Sequence, residues 1–219
     1  MNDKSVIIGA GTYGQTYASY MIESGIDIIG FIDDDPNLWG KEIMGIPVIG
    51  DFESLKKNSF KEWINNVYCP IGDNIVREKY LSESKRLGYN IPNFIHHTAI
   101  IGPGVQLGEA NYILAGSVIM PHTVTSDYVM ISIGSTIGHH VTIENSVFIS
   151  SGVNIGANLS LKEHSYIGIG ATIMSNIDEI GRGALIGAGS VIIKTVEPHT
   201  TMVGNPGRSL MKQHKSSIK

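Results

Sequence analysis

The sequence predicts an α/β half-domain followed by a parallel β-helix. From residue 101 onward, apolar residues recur every six positions through thirteen consecutive hexads, and Ile or Leu leads twelve of them, with Thr125 leading the other. Before that region, short apolar runs alternate with helical stretches, which is typical of a parallel sheet with crossover helices. We place a Rossmann-like half-domain at 1–92, the β-helix at 93–208 and a polar tail at 209–219.

The half-domain is expected to contain four strands before the coils and two helices. A buried strand ends at Ile8, and a glycine-rich loop then opens a helix that reaches Ser24. Further strands are predicted at Ile28–Ile32, 47–50 and 67–72, a second helix at Asn74–Leu87, and a last strand at Ile91–Ile95 that leads into the coils.

The six-residue rhythm fits neither a helix nor an isolated strand. An α-helix has no period of six, and a lone strand alternates every two residues. Three short strands per coil, eighteen residues in all, are the pattern of a parallel β-helix. After Asp178 the register slips by one residue and resumes at Ile180, Ile186 and Ile192. Sixteen hexads therefore make about five coils.

Composition excludes several classes of partner. The net charge is −4, with 16 Lys+Arg against 20 Asp+Glu, so no basic face predicts nucleic-acid binding. No apolar run reaches the roughly eighteen residues of a membrane span, and no signal-peptide cleavage site follows Met1. The single cysteine, Cys69, cannot form an internal disulfide and suits a reducing compartment. We expect a cytoplasmic protein without membrane insertion.

The coil region is poor in charge. Between residues 101 and 178 the only basic residue is Lys162, against five acidic residues. Outer faces with so few charges are expected to be covered by partner subunits. Because closed cyclic oligomers are usual and the prism has three sides, we expect a homotrimer.

The glycine-rich loop predicts a phosphate site. Gly9, Gly11 and Gly14 follow a strand and open a helix, and backbone amides at a helix N-terminus attract phosphate. A full dinucleotide site needs two such halves, and residues 1–92 provide one. We therefore favour a nucleotide diphosphate or its sugar conjugate over an intact NAD site or a purely structural turn. The predicted substrate contacts here are Gly9, Gly11, Thr12, Tyr13, Gly14, and the pair Asp33 and Asp34 for a base or ribose.

Residues eighteen apart should stack into columns along the β-helix. One column holds Gly116, Gly134, Gly152, Gly170 and, after the inserted residue, Gly189. Glycine there serves either tight corners or a groove in which a long, thin ligand meets backbone amides. A neighbouring column holds His122, His140, Asn158 and Asn176, with His139 beside it. These histidines are either polar corner residues or catalytic groups, whereas His96 and His97 are expected to be structural.

Five segments together resemble one family. They are 9–11, 31–34, 71–74, 155–158 and 203–206. Nearly the whole chain is similar to the NeuD/PglD-type sugar acyltransferases of the left-handed β-helix, or hexapeptide repeat, superfamily. The resemblance implies a left-handed coil, although parallel crossovers are right-handed in about 98% of cases. It also implies transfer from acetyl-CoA to an activated sugar, without metal, between the subunits of a trimer.

The resemblance also assigns roles to residues. The stretch 137–143 matches the family's Ile-x-His-x-x-x-Ile, so His139 is the implied general base. Gly152 is the implied amide donor to the thioester carbonyl, and the remaining coenzyme A contacts are Gly170, Ala188, Gly189 and Pro206. Two positions depart from the family. His140 replaces an acid that orients the base, and Phe148 replaces a histidine that helps hold the acceptor. Asn74 and Phe148 complete the expected acceptor contacts.

Three functions compete at this point. The first is N-acetylation of a nucleotide-linked amino sugar, of the 4-amino-4,6-dideoxy type, in surface glycan biosynthesis. The second is O-acetylation of a sialic acid or related sugar, and the third is a non-catalytic scaffold or binding protein. For the first two we expect direct transfer, since Cys69 lies in the other domain with no base near it in the sequence.

Overall fold

The computed structural model describes residues 3–210, so the predicted tail 209–219 lies outside it except for its first two residues. The amino-terminal half-domain consists of strands β1 (Lys4–Ile8), β2 (Asp27–Ile32), β3 (Glu42–Ile43), β4 (Ile46–Gly50) and β5 (Asn66–Tyr68), helices α1 (Thr12–Glu23), α2 (Asn58–Lys61) and α3 (Asn74–Arg86), and a 3₁₀ helix, η1 (Phe52–Lys56). None of the helices in the described range is long and apolar enough to cross a membrane.

The half-domain is built on one five-stranded sheet in the order β3-β4-β2-β1-β5. Its strands are parallel except for β3, which pairs antiparallel with β4. In the centre, Ile7 lies between Phe31 and Tyr68. The predicted strands and both predicted helices are present, whereas β3, η1 and α2 were not predicted. The strand predicted at 67–72 ends at Tyr68, because the next N–H, that of Cys69, donates to the Tyr112 hydroxyl. The last predicted strand, Ile91–Ile95, is wrong in extent, because Pro92 has no N–H to donate and only Phe94–Ile95 is a strand.

The β-helix consists of two-residue strands. They are β6 (Phe94–Ile95), β7 (Ile100–Ile101), β8 (Gln106–Leu107), β9 (Tyr112–Ile113), β10 (Val118–Ile119), β11 (Val124–Thr125), β12 (Met130–Ile131), β13 (Thr136–Ile137), β14 (Thr142–Ile143), β15 (Phe148–Ile149), β16 (Asn154–Ile155), β17 (Ser160–Leu161), β18 (Tyr166–Ile167), β19 (Thr172–Ile173), β20 (Glu179–Ile180), β21 (Leu185–Ile186) and β22 (Val191–Ile192), closed by β23 (Thr201–Val203) and β24 (Arg208–Ser209).

These strands form three sheets, which are the faces of a prism and are parallel except for β24, which pairs antiparallel with β23. Face 1 runs from β6 through β9, β12, β15, β18 and β21 to β23 and β24; face 2 contains β7, β10, β13, β16, β19 and β22; and face 3 contains β8, β11, β14, β17 and β20. Partners are eighteen residues apart, as in the pair Ile119 and Ile137. The hexad leads fill the interior, where Ile137, Ile149 and Ile167 are fully buried. Each such isoleucine stabilises the coil by about 1.5–3 kcal/mol.

The predicted register slip is confirmed. Leu161 pairs with Ile143, eighteen residues before it, and with Ile180, nineteen residues after it. The next two strand pairs keep the same nineteen-residue spacing, as in Ile167 with Ile186 and Ile173 with Ile192. The extra residue is therefore taken up in the corner at Asp178, and the interior positions keep their alignment.

The half-domain packs on face 1. The outward-pointing side chains of Tyr112, Met130 and Phe148 are buried in one hydrophobic cluster with the sheet and α1 of the half-domain. The rings of Tyr17 and Tyr112 lie 5.7 Å apart across this junction. One of the three faces is thus covered by the chain itself.

Candidate functional site

Faces 1 and 2 meet at a corner that we call the glycine edge, defined by Gly116, Gly134, Gly152, Gly170 and Gly189. At Gly134, Gly152 and Gly170 the backbone has φ of +65°, +65° and +66°, which L side chains rarely adopt. A Cβ added at any of these three would meet no atom within 4 Å. The turn therefore needs glycine, and the space outside it is open.

The glycine amides themselves are occupied. The N–H of Gly152 donates to the carbonyl oxygen of Ile133 in the preceding coil at 3.0 Å, and the N–H of Gly170 likewise donates to Ser151 at 2.9 Å. The Gly152 N–H therefore already belongs to the hydrogen-bond ladder of the coil, and its expected role as an amide donor to the thioester stays a prediction. At this edge, the N–H groups of Ser151, Ile169 and Ala188, each one residue before a glycine of the column, have no acceptor among residues 3–210.

Ala188 was predicted, whereas Ser151 and Ile169 were missed, since which amide turns outward depends on corner geometry that spacing does not show. Pro206 lies in the turn after β23. The next residue, Gly207, donates its N–H to Val191 at 2.7 Å, which places this turn beside the strand that follows Gly189.

Faces 2 and 3 meet at the histidine edge, defined by His122, His140, Asn158 and Asn176 together with His139. The Nδ1 atoms of His139 and His140 lie 3.0 Å apart, and the rings of His122 and His140 are 5.0 Å apart. His139 is half-buried and His140 is exposed. Since a neutral imidazole has one N–H and one acceptor nitrogen, one member of the 139–140 pair donates to the other.

The two edges lie on opposite sides of face 2. Gly134 precedes β13 and His139 follows it, and Gly152 lies above Gly134 in the same column. A single chain therefore does not bring His139 and the glycine edge together. A site that uses both needs a second copy of the chain.

The glycine loop is shaped by close packing. A Cβ at Gly14 would lie 1.9 Å from the carbonyl oxygen of Gly9, so this glycine is required for α1 to approach β1. Asp33 accepts the N–H of Ala10 at 2.8 Å and holds the loop from the end of β2. The N–H groups of Thr12, Tyr13 and Gly14, in the first turn of α1, have no acceptor within residues 3–210. They are available to an anion.

Asp34 lines a cavity of the half-domain. Its Oδ1 accepts the N–H of Phe52 at 3.0 Å, and its Oδ2 accepts the hydroxyl of Tyr80. Burial, and then the Asp34 carboxylate, raises the pKa of Tyr80, so this hydroxyl stays protonated as the donor. With Trp39 these residues line a cavity of about 450 Å³.

Tyr13 connects the glycine loop to the glycine edge. Its hydroxyl lies 3.0 Å from the Ser132 hydroxyl, two residues before Gly134. Phe148 is 4% exposed and stacks on Tyr166 at 4.8 Å with the rings nearly parallel. The Tyr13 ring is 6.2 Å from Phe148. Phe148 thus fills the junction between the domains.

The remaining expected residues are held in structural contacts. The Asn74 amide donates to the carbonyl oxygens of His164 at 3.0 Å and Ser165 at 3.3 Å, so it ties α3 to the coil. His96 is buried and contacts Thr98 Oγ1 at 2.8 Å, in line with its expected structural role. Burial raises the pKa of the Cys69 thiol to about 12. Within residues 3–210 no group of three or more His, Cys, Asp or Glu side chains is placed to hold a metal ion.

The sequence and the fold are similar to those of known proteins. Residues 4–84 match the family model of the PglD N-terminal domain. The acetyltransferase domain of PglB from Neisseria gonorrhoeae is 28% identical, with a TM-score of 0.87, over 95% of this chain and all of that one. PerB from Caulobacter crescentus, solved in complex with CoA and GDP-perosamine, is 25% identical with a TM-score of 0.88, over 94% and 97% of the two chains. Residues 4–84 are thus similar to the PglD N-terminal domain, and the whole chain shares the fold of these acetyltransferase structures.

The predicted fold class is confirmed: a Rossmann-like half-domain followed by a left-handed parallel β-helix. Among curated sequences, an uncharacterised protein of Acanthamoeba polyphaga mimivirus is 30% identical over 124 residues, and the serine acetyltransferase of Escherichia coli is 59% identical over 34 residues. The chain spans only 23% and 12% of the lengths of these two relatives.

Proposed function

We propose that this chain transfers the acetyl group of acetyl-CoA to the amino group of a nucleotide-linked amino sugar, of the 4-amino-4,6-dideoxy type, in surface glycan biosynthesis. The observation that carries the proposal is the contact between Tyr13 and Ser132, since it sets a phosphate-binding loop directly beside the groove of the glycine edge. Support comes from PerB, which binds CoA and GDP-perosamine, and from PglB, which was solved with acetyl coenzyme A.

The active unit in this proposal is a homotrimer. The glycine edge carries exposed Ile133 and Ile169, and the far end of the histidine edge carries exposed Met174. Apolar side chains along both edges of an otherwise uncharged face 2 suit contact with another copy. Such a contact would set His139 of one protomer against the glycine edge of its partner, which a single chain cannot do.

The half-domain is proposed to hold the nucleotide. Its diphosphate would accept hydrogen bonds from the N–H groups of Thr12, Tyr13 and Gly14 at the positive end of α1. Gly9 and Gly11 allow close approach, and Asp33 and Asp34 would face the ribose or base. Asn74 and Phe148 would then act indirectly, by fixing the wall of the acceptor site.

Acetyl-CoA is proposed to lie along the glycine edge. The open space outside Gly152, Gly170 and Gly189 suits the thin pantetheine chain, with the N–H groups of Ser151 and Ala188 as donors. Pro206 and its turn would close the upper end of this groove. No step of the transfer requires a metal ion.

The proposed chemistry is direct transfer. The sugar nitrogen attacks the thioester carbonyl carbon, a C–N bond forms, and His139 Nε2 takes the proton that the nitrogen loses. Collapse of the oxyanion breaks the C–S bond, and His139 returns the proton to the leaving thiolate. An acyl-enzyme on Cys69 is disfavoured, because its thiol is buried and stays protonated near neutral pH.

The test is an acetyl-transfer assay with the purified full chain. It uses acetyl-CoA with UDP-, dTDP- and GDP-linked 4-amino sugars, and it follows thiol release and the mass of the sugar product. We expect N-acetylation of at least one nucleotide-linked amino sugar. Free sialic acid is the comparison acceptor, and acetylation of its hydroxyl alone would instead support the O-acetyltransferase function.

A further inference from the structure

Arg77, in the first turn of α3, is a fully buried cation whose hydrogen-bond acceptors are all uncharged. Its Nε donates to the carbonyl oxygen of Tyr128 at 2.9 Å, and its Nη1 donates to that of Ile71 at 2.8 Å. Its Nη2 donates to Asn74 Oδ1 at 2.8 Å and to the carbonyl oxygen of Ser146 at 3.0 Å. Within residues 3–210 no ion pair includes this guanidinium.

The four acceptors belong to two domains. Ile71 and Asn74 lie in the half-domain, whereas Tyr128 and Ser146 occupy one corner of two successive coils. Well-packed apolar residues generally join two surfaces at least as stably as a buried charge, because taking a charge out of water is costly. The planar guanidinium fork fixes directions, which apolar packing does not. The arrangement therefore indicates that Arg77 fixes the orientation of the half-domain relative to the β-helix.

The segment that Arg77 holds, 71–74, touches the proposed acceptor site. Ile71 Cγ1 lies 3.3 Å from the position that a Cβ of Gly9 would occupy, so it supports the glycine loop from beneath. A Cβ at Gly72 would lie 4.0 Å from the Phe148 ring. The same segment thus connects the phosphate loop with the aromatic junction on face 1.

A second set of contacts joins α3 to the same corner of the β-helix. Glu78, the residue after Arg77, accepts the Ser146 hydroxyl at 2.7 Å and lies 3.4 Å from His164 Nε2. The carbonyl of Ser146 and its hydroxyl are therefore both bound by neighbouring residues of α3. This leaves α3 little freedom to slide along the coil.

We propose that Arg77 is a positioning residue for the acceptor. It fixes segment 71–74, and through it the glycine loop, so that a nucleotide-linked sugar bound to the half-domain is presented at the glycine edge. Acetyl-CoA, which lies on the coil, does not depend on this contact. The inference rests on the proposed function.

The test uses the variants Arg77→Lys and Arg77→Met. The control is Arg86→Met, which removes an exposed arginine of the same helix that forms an ion pair with Glu83. Losing hydrogen bonds to a charged group should raise the KM for the nucleotide sugar roughly tenfold or more in Arg77→Lys. The KM for acetyl-CoA, and its affinity measured by calorimetry, should stay within about twofold. Arg86→Met should behave as the unmodified protein.

A role limited to folding would instead lower the active fraction, so that kcat falls while both KM values stay constant. If Arg77→Met does not fold, Asn74→Ala removes one acceptor of the guanidinium and should show the same acceptor-specific rise, at smaller size. An unchanged acceptor KM in folded Arg77→Lys and Asn74→Ala overturns the inference and leaves the proposed function standing. An unmodified chain that acetylates no nucleotide-linked amino sugar overturns both.

Discussion

The Nδ1 atoms of His139 and His140 lie 3.0 Å apart, with the two rings at 88° to each other. For His139 to accept a proton on Nε2, its Nδ1 must carry the hydrogen and donate it to His140. In the proposed mechanism, His140 would accept this hydrogen bond and hold His139 in the tautomer whose Nε2 is free to take a proton.

Substitution of His139 by Gln should remove the general base. We expect kcat to fall about 10²–10⁴-fold, since that is the usual contribution of a positioned base. Steady-state kinetics measures the loss, and size-exclusion chromatography checks that the oligomer is unchanged. The exposed His97, replaced by Gln, is the matched control. Turnover of His139→Gln near the unmodified rate would exclude His139 as the base.

Two substitutions of His140 test whether this residue orients His139 by accepting a hydrogen bond. His140→Asp keeps an acceptor for the His139 Nδ1–H and should retain most activity. His140→Leu has no acceptor and should lower kcat about tenfold, the order expected for loss of a hydrogen bond of about 1.4 kcal/mol. Equal kinetics for the two variants would show that the 3.0 Å contact does not orient the base.

Two glycines of the same loop should differ in their tolerance to alanine. In Gly14→Ala the new Cβ would meet the Gly9 carbonyl oxygen at 1.9 Å, so the backbone must shift at a cost of at least about 1–3 kcal/mol. In Gly11→Ala the Cβ meets nothing within 4 Å, and φ is −65°. Its cost should stay near 1 kcal/mol. Urea unfolding measures both, and similar free energies of unfolding would contradict the described packing.

Phe148 should contribute to stability. It is 4% exposed and stacked on Tyr166, so Phe148→Ala should lower the free energy of unfolding by about 3–5 kcal/mol. Leu185 lies on the same face but is 42% exposed, and Leu185→Ala should cost far less. Chemical denaturation of the two variants gives the comparison. A small loss at Phe148 would mean that the half-domain is not packed on face 1.

Cys69 should resist alkylation in the folded protein. Burial disfavours the thiolate and raises the pKa of the thiol to about 12 from an ordinary value of 9.0. At pH 9 the folded chain therefore keeps a protonated, unreactive thiol, whereas about half of the unfolded chains carry a thiolate. Mass spectrometry after iodoacetamide treatment, with and without denaturant, tests this. Rapid labelling of folded protein with loss of transfer would reopen a covalent route through Cys69.

The β-helix could be predicted from the sequence because its repeat is local. Every lead residue faces the same interior, so the period shows directly, and even the slip at Asp178 shows as a change of phase. The segments η1 and α2 carry no such period and were missed. They are only five and four residues long, and the capping contact of η1, from the Ser54 N–H to Asp51, is local.

Parts of the candidate site could not be predicted from the spacing of residues in the sequence, because they depend on the three-dimensional geometry of the chain. The column of glycines was correct, but the free N–H groups belong to the residues before them, because a corner with positive φ turns the preceding amide outward. Arg77 appears in the sequence as an ordinary helical arginine. Its four acceptors come from residues as far away as Ser146, and only folding brings them to one point.

The nineteen-residue coil at Asp178 also shows what the scaffold tolerates. The added residue is exposed on the histidine edge, and the strand after it still pairs Ile180 with Leu161. Stacking therefore fixes the strands but does not fix the length of this corner. We expect that a longer segment, such as a peptide tag or a substrate-binding loop, inserted between Ile177 and Glu179 would leave the coils above and below in place. The protein carries a natural insertion point only two coils above His140.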